Sequence, residues 1–196
     1  MFQVRFHGRG GQGVVTAAEI LSMAAFAEGR HAQAFPSFGS ERMGAPVVSF
    51  CRMDDHPIRT REPVMVPDAL VIQDSTLIHQ VDLFAGLSAD GFVLVNASQD
   101  FDELGFGEFF NEFHRDRLLT CPATDFALEQ LGRPLPNAAL LGAFAALTGE
   151  ITLEAITSAI RQRFSGKAGE SNVAAARAAF RFVTLEKEGL TRASPD

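Results

Sequence analysis

From Phe2 to His7 the chain alternates Phe, Val and Phe with Gln, Arg and His, then runs directly into Gly8-Arg9-Gly10-Gly11-Gln12-Gly13. Alternation with a period of two is the pattern of a strand, and the glycines mark a sharp turn at its end. Val14 to Glu28 is rich in Ala and Leu. Ile20, Ala24 and Ala27, or Leu21 and Ala25, recur there at helical spacing, and Gly29 is placed to end the helix. His31 to Phe35 can form a second strand, Pro36 to Pro46 a long loop, and Val47 to Cys51 a β-forming run that ends in the polar turn Asp54-Asp55. Ala69–Ile72 and Phe92–Val95 are continuously apolar, as expected of parallel strands covered on both faces, with Thr76 to Leu87 as the crossover between them. Arg117 to Cys121 reads as a weaker strand, followed after Pro122 by a helix over Asp125–Leu131. Beyond Pro136 the patterning is helical over Asn137–Thr148, Leu153–Phe164 and Asn172–Glu188, with breaks at Gly149 and Gly166. The sum is an α/β chain: a Rossmann-like, open, mostly parallel sheet with the Phe2–His7 strand central, helices on both faces and a helical C-terminal third. No repeat, low-complexity segment or long polar linker divides the 196 residues, so a single domain is expected over residues 1–190 with a tail at 191–196.

Composition narrows the chemistry. There is no Trp or Tyr, so the eighteen Phe residues supply all aromatic burial. The net charge of −7 is uneven: Lys and Arg against Asp and Glu number 7 against 6 in residues 1–65, 3 against 12 in 66–135, and 7 against 6 in 136–196. Without a basic run the chain lacks the clustered cations that a nucleic acid demands. No secretory leader opens it and no stretch approaches the length of a bilayer span, which predicts a soluble, cytoplasmic protein without a membrane partner. The only two cysteines, Cys51 and Cys121, stand in no CxxC arrangement, so neither zinc nor an iron–sulfur cluster is expected to be held by this chain alone.

Residues 8–13 satisfy G-x-G-x-x-G after a strand and into a helix, where bare backbone lets a phosphate reach the helix N-terminal amides. The same glycines also permit close packing of helix on sheet, and the motif by itself leaves both readings open. A dinucleotide site would need an acid about 20 residues further on, and positions 31–38 have none. Arg9 calls for a nearby anion, since a cation taken out of water is costly without one. The loop Phe35-Pro36-Ser37-Phe38-Gly39-Ser40-Glu41-Arg42-Met43-Gly44-Ala45-Pro46 follows the second strand, at the carboxyl-end rim where open α/β sheets bind ligands. It is either an ordered loop that plugs its Phe residues into the core or a binding loop. His7, His31, His56, His79 and His114 lack ligand spacing, and Cys51 and Cys121 read as small buried hydrophobes, so no catalytic residue and no metal ligand is nominated. Asp100, Asp102, Glu103, Glu108 and Glu112 surround five Phe residues between 101 and 113, an arrangement suited to docking or to a solvated surface. Arg161, Arg163 and Lys167 form either a phosphate complement or a solvated helix face.

GRGGQG near the N terminus followed by FPSFGSERMGAPV resembles the gamma subunit, or gamma-like domain, of pyruvate:ferredoxin oxidoreductases and other 2-oxoacid:acceptor oxidoreductases. The likeness continues through VIQD, GFVLVNAS, Asn137–Gly142 and Glu170-Ser171-Asn172, covering roughly residues 2–185. It implies a subunit of an enzyme that oxidatively decarboxylates a 2-oxoacid, pyruvate or an aromatic one such as phenylglyoxylate, to acyl-CoA and carbon dioxide, with ferredoxin or NAD as acceptor. The resemblance further implies thiamine diphosphate and Mg in alpha and beta subunits, iron–sulfur clusters in a ferredoxin-like subunit, and coenzyme A engaged near this one. On that basis Gly8, Arg9, Gly10, Gly11, Gln12 and Gly13 are expected to form the cradle, with Ser37, Phe38, Glu41 and Arg42 on a loop facing the ligand or the catalytic subunits. The competing expectations are a free-standing Rossmann-type nucleotide-binding oxidoreductase and a non-catalytic assembly module.

Overall fold

The computed structural model describes residues 1–37, 43–107, 111 and 113–193. Six strands form one sheet in the order β2-β3-β1-β4-β5-β6: β1 Phe2–Arg9, β2 His31–Pro36, β3 Pro46–Asp54, β4 Ala69–Ile72, β5 Phe92–Asn96 and β6 Leu118–Cys121. β1, β4, β5 and β6 run parallel, while β3 lies antiparallel between β2 and β1. β2 therefore points the same way as β1, and β3 alone is reversed. The α-helices are α1 Val14–Ala27, α2 Ala123–Leu131, α3 Asn137–Thr148, α4 Leu153–Arg163 and α5 Gly166–Ala193. This is the expected mostly parallel α/β architecture with a helical C-terminal third.

Alternate strand residues sort onto two faces. Val4 and Phe6, Ala69 and Val71, Leu94, Leu119 and Cys121 face a core built with α1, α3, α4 and α5, while Ile72, Val93, Val95 and Leu118 face a smaller cluster with Leu77, Ile78 and Leu83. Helical cover is thus unequal. The α-helices gather on the first face, and the second is roofed by the 3-10 helix Ser75–His79 together with turns that carry Phe84, Phe101 and Phe106. Gly86, Ser88 and Gly91 in the β4–β5 crossover are poor helix formers, which keeps that roof in turns.

β1 occupies an interior place, and its polar alternates are buried with its apolar ones: Arg5 and His7 are each 7% exposed. The Arg5 guanidinium donates to the carbonyls of Val64 (3.3 Å), Leu83 (2.8 Å) and Ala85 (2.7 Å), tying two loops onto the second face. On the first face, α1 packs through small residues, with Ala17, Ala18, Ala24 and Ala25 buried beside Ile20 and Leu21. The Ser49 hydroxyl of β3 donates to the Val14 carbonyl at 2.9 Å, anchoring the start of α1 to the sheet.

α5 begins at Gly166, six residues before the Asn172 at which the sequence pattern starts. Asn172 lies inside the helix with its amide turned back onto the Ala168 carbonyl at 2.8 Å. A Cβ on Gly169 would lie 2.2 Å from the Phe164 carbonyl oxygen, so packing on the preceding turn selects a glycine that helix propensity disfavours, while Gly166 starts the helix at φ 59° in the left-handed region.

Candidate functional site

β1 ends at Arg9 and the chain reverses through Gly10–Gly13 into α1. Gly11 and Gly13 have φ of 94° and 76°, the left-handed region that side chains other than Gly seldom enter. Gly13 is the N-cap of α1 and offers no side-chain acceptor, and the first amide to find an intrahelical carbonyl is that of Ala17, bonded to Gly13 at 2.9 Å. The amides of Val14, Val15 and Thr16 consequently point out of the helix end. They border a shallow space of about 290 Å³ together with Gly10, Gly11 and Val47. Gly8 belongs to the strand; a Cβ there would meet Val14, Gln12 and Gln73 at 2.7 to 3.1 Å.

The polar side chains of the turn are committed to one another. Gln12 accepts from the Arg9 amide (2.7 Å) and donates to Asp74 (2.8 Å), and Arg9 Nε donates to the same Asp74 oxygen at 3.2 Å. The Arg9 Nη atoms reach the Gly44 carbonyl (3.1 Å), Thr76 Oγ1 (2.8 Å) and Gln80 Oε1 (3.1 Å). The other Asp74 oxygen caps the 3-10 helix by accepting from the Thr76 amide (3.0 Å) and hydroxyl (2.5 Å). Burial pushes the Asp74 carboxyl up, but the hydrogen bonds from Thr76 and Gln12 and the Arg9 charge outweigh it and hold the group below the usual carboxylate range. The anion that Arg9 calls for is therefore supplied from within the chain. Its signal in the sequence is the acid that stands two residues beyond the apolar run Ala69–Ile72, after Gln73, at the carboxyl end of a parallel strand.

Gly10 also holds the following loop: its amide donates to the Ala45 carbonyl at 2.9 Å and its carbonyl accepts from Gly44 at 3.1 Å. Met43, 87% exposed, lies over Gly11, where a Cβ would come 2.9 Å from its methyl group. Ser37 is exposed and its amide pairs with the Val48 carbonyl at 2.9 Å. Phe38, Glu41 and Arg42 lie outside the described residues. The glycine turn and the described loop residues Met43–Pro46 share one rim of the sheet, as the pattern predicts.

Beside the turn a cleft of about 580 Å³ opens over the carboxyl ends of β4, β5 and β6, bounded by Gly10–Gln12, Asp74, Asn96–Gln99, Thr124 and Pro134–Pro136. It lies where the order of strands changes direction between β1 and β4, the place at which open α/β sheets bind ligands. α3 starts there from Pro136 without a side-chain cap, and its first residue, Asn137, sits against Gly13: a Cβ on that glycine would be 2.6 Å from Asn137 Nδ2. The uncapped N termini of α1 and α3 thus adjoin. α2 differs, because its Thr124 amide is taken by Asn96 Oδ1 at 3.1 Å and its first turn carries Asp125. Backbone donors at two helix ends suit an anionic or carbonyl-rich ligand, whereas Asp74 and Asp125 restrict where its negative charge can lie. The second strand of the chain is not a neighbour of β1, since β3 intervenes, so the position from which a dinucleotide-binding acid reaches a ribose does not exist in this topology.

Away from the rim, His56 pairs with Asp54, His114 with Asp90, and His79 stacks on Phe106. Both cysteines are buried, and burial pushes the Cys121 thiol up to about 12 and that of Cys51 further still. Arg161 pairs with Glu170 at 2.7 Å, and Arg163 lies 3.7 Å from Glu19. Of the acidic and Phe-rich stretch, Phe101, Phe106 and Phe113 pack against the second core cluster, and Glu108, Phe109, Phe110 and Glu112 lie outside the described residues. No described helix is long and apolar enough to cross a membrane.

Comparison with known proteins places this geometry. The family model for pyruvate ferredoxin/flavodoxin oxidoreductase matches residues 3–182. Pyruvate synthase subunit PorC of Methanothermobacter thermautotrophicus is 49% identical over 180 residues, spanning 92% of this chain and 94% of that protein. The pyruvate/ketoisovalerate oxidoreductases common subunit gamma of Pyrococcus abyssi is 48% identical over 182 residues, spanning 92% and 96%. The crystal structure of the pyruvate oxidoreductase subunit PORC from Thermotoga maritima matches with a TM-score of 0.78 at 36% identity, over 92% of this chain and 95% of that one. In the 2-oxoglutarate:ferredoxin oxidoreductase of Magnetococcus marinus the same fold, at a TM-score of 0.68 and 19% identity, forms 32% of a longer chain. With the match running from β1 into α5 and the relatives covered almost end to end, the chain belongs to the pyruvate ferredoxin/flavodoxin oxidoreductase family as a gamma-type member.

Proposed function

We propose that this chain is the gamma subunit of a multi-subunit 2-oxoacid:acceptor oxidoreductase converting a 2-oxoacid, coenzyme A and an oxidised acceptor into acyl-CoA, carbon dioxide and reduced acceptor. Pyruvate or an aromatic 2-oxoacid such as phenylglyoxylate is the substrate class, with ferredoxin or NAD as acceptor. Alpha and beta subunits bearing thiamine diphosphate and Mg, and a ferredoxin-like subunit bearing iron–sulfur clusters, carry the chemistry in the cytoplasm. This chain engages coenzyme A and holds the assembly together.

The observation that carries the coenzyme A role is the pair of uncapped helix N termini, α1 and α3, beside the glycine turn at the carboxyl rim. Phosphate oxygens accept from free backbone amides in such a place without a cation having to be desolvated. Gly10, Gly11 and Gly13 provide bare backbone for that approach. Gly8, Arg9 and Gln12 keep the turn in shape, the last two through Asp74. Ser37 belongs to the loop at the same rim, and Phe38, Glu41 and Arg42 in that loop face the ligand or the catalytic subunits.

The test is Gly10→Val, which puts a branched side chain where the turn borders both the cleft and the α1 N terminus. In the assembled complex the coenzyme A concentration for half-maximal acyl-CoA formation should rise by about tenfold or more, the loss of roughly 1.4 kcal/mol of binding. Reduction of the clusters by 2-oxoacid alone should stay within about twofold of the parent, since that step needs no thiol. An unchanged coenzyme A requirement in a correctly assembled variant would show that the turn serves packing only.

A further inference from the structure

β6 is the last strand of the sheet, and its free side opens into a groove of about 480 Å³. The direction of its backbone groups follows from one bond. Ala97 N–H donates to the Cys121 carbonyl at 3.1 Å, so Cys121, and by alternation Leu119, turns its peptide groups toward β5. Leu118 and Thr120 therefore turn theirs outward. The Leu118 amide is taken by the Arg115 carbonyl, and Pro122 has no N–H to offer. What faces the groove is a short ladder, the Leu118 carbonyl followed by the amide and carbonyl of Thr120, none of them bonded to another strand among the described residues. An edge with unpaired groups is a template for another strand unless something covers it.

The walls determine what fits. On one side of the sheet plane the turn 98–107 contributes Asp102 and Glu103; on the other, α5 contributes Phe182 and Glu186. With Asp100, four carboxylates line the groove against one cation, Arg115, among the described residues. A strand added to β6 would pass between these walls, with its side chains alternating toward acids on both faces. Long side chains that lay an aliphatic stem along Phe182 and deliver a positive end to the acids satisfy both walls.

We propose that the β6 edge is a docking strand for an extended segment of another protein chain rich in Lys and Arg, which adds to the sheet through the Leu118 carbonyl and Thr120 and is held by the acidic walls. Recognition is by main-chain pairing, with charge setting specificity. This surface is separate from the glycine turn and stands or falls independently of the coenzyme A reading.

The test uses the full chain and an acetylated hexapeptide of Lys, which presents cations to both walls, with the hexapeptide of Glu as control. Six residues span about 20 Å, longer than the four-residue strand. The Lys peptide should bind and slow exchange of the Thr120 amide by about tenfold or more, while the Glu peptide does neither. Thr120→Pro removes only an outward amide, a change that edge strands accept, and should weaken Lys-peptide binding by about tenfold or more with the melting curve little changed. Asp102→Asn with Glu186→Gln leaves the backbone alone and should weaken binding and flatten its dependence on salt. The proposal is overturned if the Lys peptide does not bind or the Glu peptide binds equally well. It is also overturned if the Thr120 amide already exchanges slowly in the free chain, or if binding survives both substitutions.

Discussion

The buried polar residues of β1 make stability depend on pH. His7 Nε2 is buried without a hydrogen-bond partner among the described residues; burial first, and the Arg5 charge second, lower its pKa to about 3. In the unfolded chain the same imidazole takes up a proton near pH 6.5. Below about 6.5 the unfolded state therefore binds more protons than the folded one, and stability falls as pH drops toward 3, by up to about 1.4 kcal/mol per pH unit. Asp74 titrates below the usual carboxylate range, so its loss adds only in the lower part of that window. His7→Gln should flatten the fall between about pH 6.5 and 4.5, measured by urea unfolding across that range. An equally steep fall in the variant would place the titration elsewhere. The alternation of Phe2, Val4 and Phe6 with Gln3, Arg5 and His7 shows in the sequence that this segment is a strand. That both of its faces are buried is decided by the α-helices over one face and the loops that Arg5 gathers over the other, while β3 and β4 pair its two edges.

Among the elements, the crossing of α3 and α5 is the closest-fitting. A Cβ on Gly142 would stand 1.9 Å from the Ala176 carbonyl oxygen, a rigid backbone atom. Helix propensity alone would favour Ala at this position by about 1 kcal/mol. Overpacking against backbone opposes it more strongly, so Gly142→Ala should destabilise the chain by about 1 to 3 kcal/mol, read as a lower urea midpoint at constant slope. A stabilised variant would mean that the two helices separate easily. The limits of α3 are legible because a solid Ala and Leu run lies between Pro136 and Gly149. The start of α5 is not legible, because Gly169 is explained only by the turn it packs against and Gly166 by the left-handed backbone at which the helix starts, neither of which local propensity weighs. The 3-10 roof on the second face follows the same logic: Thr76 to Leu87 does connect β4 to β5, but without a continuous helical stripe.

At the scale of the whole molecule, the two cysteines sit on β3 and β6, which are separated by β1, β4 and β5. Four strand spacings put them roughly 19 Å apart, too far to share a cluster. The purified chain by itself should accordingly show no 2-oxoacid oxidation and hold no stoichiometric iron, with activity appearing only on mixing with its partner subunits; iron at one atom or more per chain would contradict this. Periodicity and the strand–glycine–helix opening determined the α/β class, the order of the elements and the rim that carries the turn, because these depend on spacings of a few residues. The likeness of GRGGQG and the following loop determined the family. Tertiary structure alone decided that β3 is reversed and inserted beside β1, that the α-helices share one face, that α1 and α3 bring uncapped ends together, and that Asp74 is the partner of Arg9. Each of these joins residues tens of positions apart, and such pairings are selected by packing and by the cost of leaving a charge or a peptide group unpaired rather than by any local preference of the chain.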